Sequence, residues 1–310
     1  MKIIKLKVSL TKQGIPVIQH ARRYQWRTMR YTIFLLLALF VLGPTAGCTK
    51  GDRSDSDRYV VLSPETAEIL CAMGLEERIV GITAECNYPP SLATKPVVGN
   101  FGALDREKVI SLNPTIIFSS ALEQEAIAKE FTKLGLRVES SYPANLEDLL
   151  LGVRHLGELT GSIESAIVLA DSIRREIEMI RANNMSKRRP KVYLEIYRDP
   201  LMSVSDQSFV GQLIETAGGD NVFSTLERDY SRVDPERIVT AAPDIIICYS
   251  QDTLESIKSR KGWQNIPALK NNRIYFESDI NPDLIQRAGP RVIEGMKALA
   301  AIFDNWRMGN

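Results

Sequence analysis

From about residue 58 onward, short runs of β-branched and aliphatic residues recur along the chain, and between them apolar positions three and four apart mark helical faces. The runs predict strands over 60–62, 79–83, 115–119 and 137–140, then over 192–196, 221–223, 244–249 and 273–277. Helical periodicity falls over 65–73, 123–134, 146–159, 210–217 and 291–303. Strand and helix alternating in this way predict an α/β fold with parallel sheets covered on both faces. One longer stretch, 162–184, contains neither Gly nor Pro, and Ile163, Ala166, Ile167, Ala170, Ile173, Ile177 and Ile180 mark one face of it. At about 1.5 Å per residue it makes a rod of roughly 30 Å. The order of elements divides the body into an N-terminal lobe over 58–159, a connecting helix over 160–186 and a C-terminal lobe over 187–310.

The lobes share a repeat. Residues 105–118 align without gaps on 234–247, a constant offset of 234 − 105 = 129, with Asp105/Asp234, Glu107/Glu236, Pro114/Pro243, Ile116/Ile245 and Ile117/Ile246 identical. Each copy reads as an N-capping Asp and a Glu in the first turn, where the helix dipole favours an anion. A short helix follows, stopped before a Pro, and then a strand buried on both faces. Two Rossmann-like lobes of related construction, joined by one rigid helix, are therefore expected.

The first 48 residues differ from the rest. They carry eight bases and no acid, so the remainder holds 39 − 8 = 31 bases against 38 acids, a net of −7 beside +1 for the whole chain. That balance excludes a nucleic-acid partner. The apolar run 33–42 is too short to cross a bilayer, which takes about 20 residues, and with bases before it and small residues after it reads as a secretory signal. Residues 1–28 are long for the basic part of such a signal, so Met29 is expected to be the true start. The run ends at Thr45, Ala46, Gly47 and Cys48, which resembles the lipobox of bacterial lipoproteins, although that pattern usually has Leu where Thr45 stands. The resemblance implies lipidation of Cys48; the alternative is a plain signal peptide with an incidental Cys. Residues 49–57 are small and polar and read as a flexible tether.

Three cysteines remain, Cys71, Cys86 and Cys248. An odd number in an oxidising compartment leaves their pairing open. The body has one histidine, His155, too few for a multi-His metal site, and no nucleophile elbow, P-loop or dinucleotide fingerprint. An extracellular two-lobed enzyme, with acid/base work by Glu85 and Asp279, is the alternative from a different class, and it lacks a motif.

The repeat, the single long helix and the lipobox, together with segments 62–70, 83–90, 217–223 and 288–291, resemble the helical-backbone (class III) substrate-binding proteins of ABC importers. These carry cobalamin, ferric siderophores or haem. The resemblance implies a ligand cleft between the lobes, no catalysis and no cofactor. It also implies a monomer held by its lipid in the periplasm or on the outer face of the cell membrane. Its partner would be a permease dimer with ATPase subunits, against which Glu107 and Glu236 would dock.

Ligand contacts are expected from loops at the carboxyl ends of the strands: Glu85, Asn87, Tyr88 and Ser120 from the first lobe, Tyr197, Arg198 and Asp279 from the second. Phe101 and Tyr230 each precede a docking Glu by six residues (107 − 101 and 236 − 230) and match aromatics that flank the corrin ring in cobalamin-binding members. Cobalamin or another corrinoid is the expected ligand; a ferric siderophore or haem is the alternative.

Overall fold

Ser63 opens the first helix. Its hydroxyl accepts a hydrogen bond from Thr66 N at 3.3 Å, and Pro64 takes the first helical position, where a missing N–H costs nothing. A computed structural model of the protein describes residues 57–120 and 124–309. Cys48, the leader over 1–48 and all of the tether except Asp57 lie outside the described residues.

In the first lobe the chain runs through β1 (Tyr59–Val61), α1 (Pro64–Ala72), β2 (Ile79–Ile82), a β3–β4 hairpin (Gly99–Asn100, Ala103–Leu104), α2 (Arg106–Ser111), β5 (Ile116–Ser120), α3 (Glu125–Lys133), β6 (Val138–Ser141) and α4 (Leu146–Thr160). Helix α5 (Ile163–Asn184) connects the lobes. The second lobe holds β7 (Lys191–Glu195), β8 (Tyr197–Arg198), β9 (Leu201–Val204), α6 (Phe209–Thr216), β10 (Asp220–Asn221), β11 (Tyr230–Arg232), α7 (Pro235–Ala241), β12 (Ile245–Cys248), α8 (Leu254–Ser259), α9 (Pro267–Lys270), β13 (Ile274–Phe276), α10 (Asp283–Gln286) and α11 (Val292–Met308).

Both main sheets are parallel, and their orders, β2-β1-β5-β6 and β10-β7-β12-β13, are the same topology. The repeat seen in the sequence is this shared third unit, since the offset of 129 carries the start of α2 onto that of α7 and the start of β5 onto that of β12. Strands β1, β5 and β12 are buried at every position, as central parallel strands must be when helices cover both faces.

The connecting helix differs in one respect from its sequence reading. Its buried residues are Ala166, Ala170, Ile173, Ile177, Ile180 and Asn184, a four-three-four-three-four stripe. Ile163 and Ile167 are 53% and 41% exposed. Ile163 lies in the first turn, and Ile167 lies about 100° around the helix from Ala166. The seam against α4 is tight: a Cβ on Gly157 would come within 2.3 Å of the Ala166 Cβ. One continuous apolar core takes in residues of both lobes together with α5 and α11. The lobes therefore share a foundation, and their described residues fall in one compact unit.

Five strands at the rim have no counterpart in the expected ones: the β3–β4 hairpin and the antiparallel β8-β9-β11 sheet. None is longer than four residues, too short for an apolar alternation to mark it. Among the described residues no helix is long and apolar enough to cross a membrane.

Candidate functional site

In a sheet of order 2-1-3-4 the chain leaves the first and third strands in opposite directions, and a crevice opens at their carboxyl ends. Both lobes bring that end to one cavity of about 420 Å³. Glu65, Phe101, Ser120, Tyr142 and Pro143 line it from the first lobe. Ile196, Phe209, Tyr230, Gln286 and Ala288 line it from the second. Glu65 follows β1, Ser120 ends β5, Tyr142 follows β6 and Ile196 follows β7, so the lining is the strand-end set the topology requires. A larger hollow of 770 Å³ lies on the second lobe alone, beside Glu236, Val239 and Trp263. Drawing on one lobe, it lacks the two-sided enclosure of the cleft.

The two cleft aromatics are held by different devices. Phe101 is at the tip of the β3–β4 hairpin, and its N–H donates to Glu85 Oε1 at 3.0 Å. Asn100 Oδ1 closes the turn by accepting from Gly102 N at 3.1 Å and Ala103 N at 2.8 Å. Gly99 enters the hairpin at φ +132°, and a Cβ there would come within 2.3 Å of the Ala103 carbonyl oxygen, so glycine is required. Tyr230 begins β11, in antiparallel register with Val204 of β9. Each aromatic segment runs on into an Asp that starts a helix. Asp105 caps α2, accepting from Lys108 N at 3.0 Å, whereas Asp234 makes no side-chain cap bond and Pro235 starts α7 instead.

Of the residues expected to meet ligand, Phe101, Ser120 and Tyr230 line the cavity. The rest are placed outside its lining. Glu85 supports Phe101 from behind, with its other carboxylate oxygen buried and unpartnered. Asn87 Oδ1 accepts from Arg287 Nη1 at 2.9 Å. Tyr88 carries the Arg291 guanidinium over its ring at 4.1 Å. Tyr197 is 56% exposed, Arg198 pairs with Asp252 at 3.0 Å, and Asp279 accepts from Phe276 N at 2.8 Å, closing a turn.

Arg287 and Arg291 also reach Glu68, a buried carboxylate on α1. Arg291 Nε donates to it at 2.9 Å and Arg287 Nη1 at 3.3 Å. Two sequence segments singled out for their resemblance, 62–70 and 288–291, are thus joined in space as an ionic latch between the lobes.

Sequence reading missed Glu65, Tyr142, Pro143, Ile196, Phe209, Gln286 and Ala288. Glu65 was the most accessible of these, being the second residue of a helix that directly follows the first strand. Burial pushes its carboxyl above the ordinary glutamate range, while a Ser63 hydrogen bond and the Arg287 charge act the other way.

Cys71, Cys86 and Cys248 are free thiols. Burial raises Cys71 to about 12 and Cys86 to about 11, so both are held as inert thiols. Among the described residues no group of three or more His, Cys, Asp or Glu is placed to hold a metal ion.

The periplasmic binding protein family pattern matches residues 60–279 of this chain. The chain belongs to that family. It is an extracytoplasmic solute-binding protein, and the proteins it resembles are solute-binding proteins, not enzymes. An uncharacterised ABC transporter substrate-binding lipoprotein of Bacillus subtilis strain 168, YvrC, is 28% identical over 256 residues, with 80% of each chain covered. A vitamin B12-binding protein of Vibrio parahaemolyticus is 23% identical over 253 residues, covering 80% of this chain and 90% of its own. Among solved structures, the haem-binding protein RhuT of a Roseiflexus species has a TM-score of 0.72 at 22% identity, covering 81% of this binding protein and 99% of that chain. The vitamin B12-binding protein of Vibrio cholerae has a TM-score of 0.67 at 20% identity, covering 81% and 98%. At these identities the solved structures establish the fold of the binding protein, a class III α/β architecture.

Proposed function

We propose that this binding protein captures a corrinoid, with cobalamin as the reference ligand, and delivers it to the permease of an ABC importer. The observation that carries the reading is the composition of the cleft. An aromatic ring from each lobe, Phe101 and Tyr230, faces a cavity whose described lining contains no Arg, Lys or His. Two rigid aromatic surfaces suit a flat macrocycle. The absence of a base from the described lining disfavours ligands that bring carboxylates or catecholates, because a buried anion needs a partner. Arg287 is close by, but it donates to Glu68, Asn87 and the Glu85 carbonyl and pairs with Asp283 at 2.9 Å. The B12-binding names among the relatives agree with this reading.

Glu107 and Glu236 belong to the same proposal as the docking pair for the two permease subunits. Each is exposed in the first turn of its helix, one in each lobe, on the repeated unit. Lipidation of Cys48 would hold the body at the membrane surface, and the ATPase subunits would complete the importer.

Haem is the second reading. It is favoured by Tyr142 and Tyr230, whose phenols are of the type that ligates ferric iron. The two readings separate in a thermal-shift panel of cyanocobalamin, cobinamide, a ferric siderophore and haemin. A ligand bound only by the folded state at 100 times its Kd adds about 2.7 kcal/mol. The expected result is a shift with both corrinoids. A shift with haemin or the siderophore and none with any corrinoid overturns the proposal.

A further inference from the structure

Glu65 is the one carboxylate among the described residues that line the cleft, and no base accompanies it there. It lies in the first turn of α1, immediately after β1. The free N–H groups and the dipole at such a helix end favour an anion, and in α/β proteins a ligand's phosphate or carboxylate is commonly received there. In this chain the Ser63 hydroxyl caps that end by accepting from Thr66 N, and Glu65 places an acid of the chain's own in the first turn. The base that acts on Glu65, Arg287, gives its hydrogen bonds to Glu68, Asn87 and the Glu85 carbonyl. Glu65 thus lines the cavity with no guanidinium or ammonium hydrogen-bonded to its carboxylate among the described residues.

We infer that Glu65 sets the charge class of the cargo. It turns away ligands that bring a carboxylate or phosphate to the α1 end of the cleft, and it holds ligands that bring carboxamide or hydroxyl donors. The inference rests on reading the cleft as the cargo site. A corrinoid rimmed with primary carboxamides satisfies it, whereas a haem with two propionates or a tris-catecholate iron complex does not. Glu65 touches the ligand directly in this account.

The test uses isothermal titration of the purified chain with cyanocobalamin and with haemin, for the wild type, Glu65→Gln and Glu65→Lys. Circular dichroism confirms that each variant is folded. The wild type is expected to bind cyanocobalamin at least tenfold more tightly than haemin, about 1.4 kcal/mol. Glu65→Gln keeps the shape and removes the charge, and is expected to narrow that ratio at least threefold. Glu65→Lys should narrow it at least tenfold. Should lysine at a helix N-terminus prevent folding, the glutamine variant decides alone. Cyanocobalamin preference that persists within twofold of wild type in the folded variants overturns the charge filter and leaves the corrinoid reading standing. A wild-type chain that prefers haemin overturns both.

Discussion

At the scale of single residues, the carboxylates of α1 behave in opposite ways. Glu68 is buried and shared by two guanidiniums, so its charge is compensated. Removing it would strand Arg291, whose side chain is only 11% exposed, and would leave Arg287 with Asp283 as its remaining carboxylate partner. Breaking a buried pair from one side costs about 3–5 kcal/mol, and Glu68→Ala should lower stability to urea by an amount in that range. A loss under 1 kcal/mol would mean that the latch is not structural. Glu65 is raised, chiefly by burial, so the folded chain binds its proton more tightly than the unfolded chain does. Such a group favours the fold most below the ordinary glutamate value of 4.5, and that contribution is lost as pH rises through the raised value. Glu65→Gln removes the titration. The variant should therefore gain stability relative to wild type between pH 4.5 and pH 8, as read from paired urea midpoints, and an unchanged difference would contradict the assignment. What the substitution removes is the net of burial and of the neighbours' effects on this carboxyl, the Ser63 hydrogen bond and the Arg287 charge lowering it and the Glu68 charge raising it.

At the scale of elements, helices α4 and α5 meet where Gly157 allows Ala166 to approach. Any side chain at 157 must push the seam apart. Gly157→Leu is expected to cost about 1–3 kcal/mol by overpacking, with a lower Tm and no loss of helix content; a neutral result would show that the seam is looser than its geometry. This seam also shows what could be read beforehand. The long helix was legible because its apolar stripe repeats over 22 residues, and the α2–β5 and α7–β12 units because two copies confirm one another. The end of the stripe was not legible, since whether Ile163 and Ile167 are covered depends on what packs around them. The rim sheets were not legible either. Tyr230-Ser231-Arg232 carries no alternation, and its strand state comes from pairing with Met202, Ser203 and Val204, about 28 residues earlier in the chain. The cleft was legible only in part for the same reason: Phe101 and Tyr230 are related by the repeat, but Phe209 and Gln286 reach the cavity only through tertiary packing.

At the scale of the whole molecule, the shared core and the Glu68 latch limit how far the lobes can move apart, so Glu107 and Glu236 are held at a nearly fixed spacing. A partner can then engage both at once, and fixed geometry matters more than the strength of either contact, because exposed ion pairs contribute only about 0.2–1 kcal/mol each. The excess of acid over base in the body speeds encounter with a basic surface. Reversing both charges, Glu107→Arg with Glu236→Arg, should leave the cleft untouched, since neither side chain lines it. Cyanocobalamin affinity is expected to stay within twofold of wild type, while uptake through the reconstituted importer falls to background. Restoring either glutamate alone should recover only part of the uptake, because a single contact cannot orient the complex. A tenfold loss of cyanocobalamin affinity in the double variant, or undiminished uptake, would refute the docking assignment.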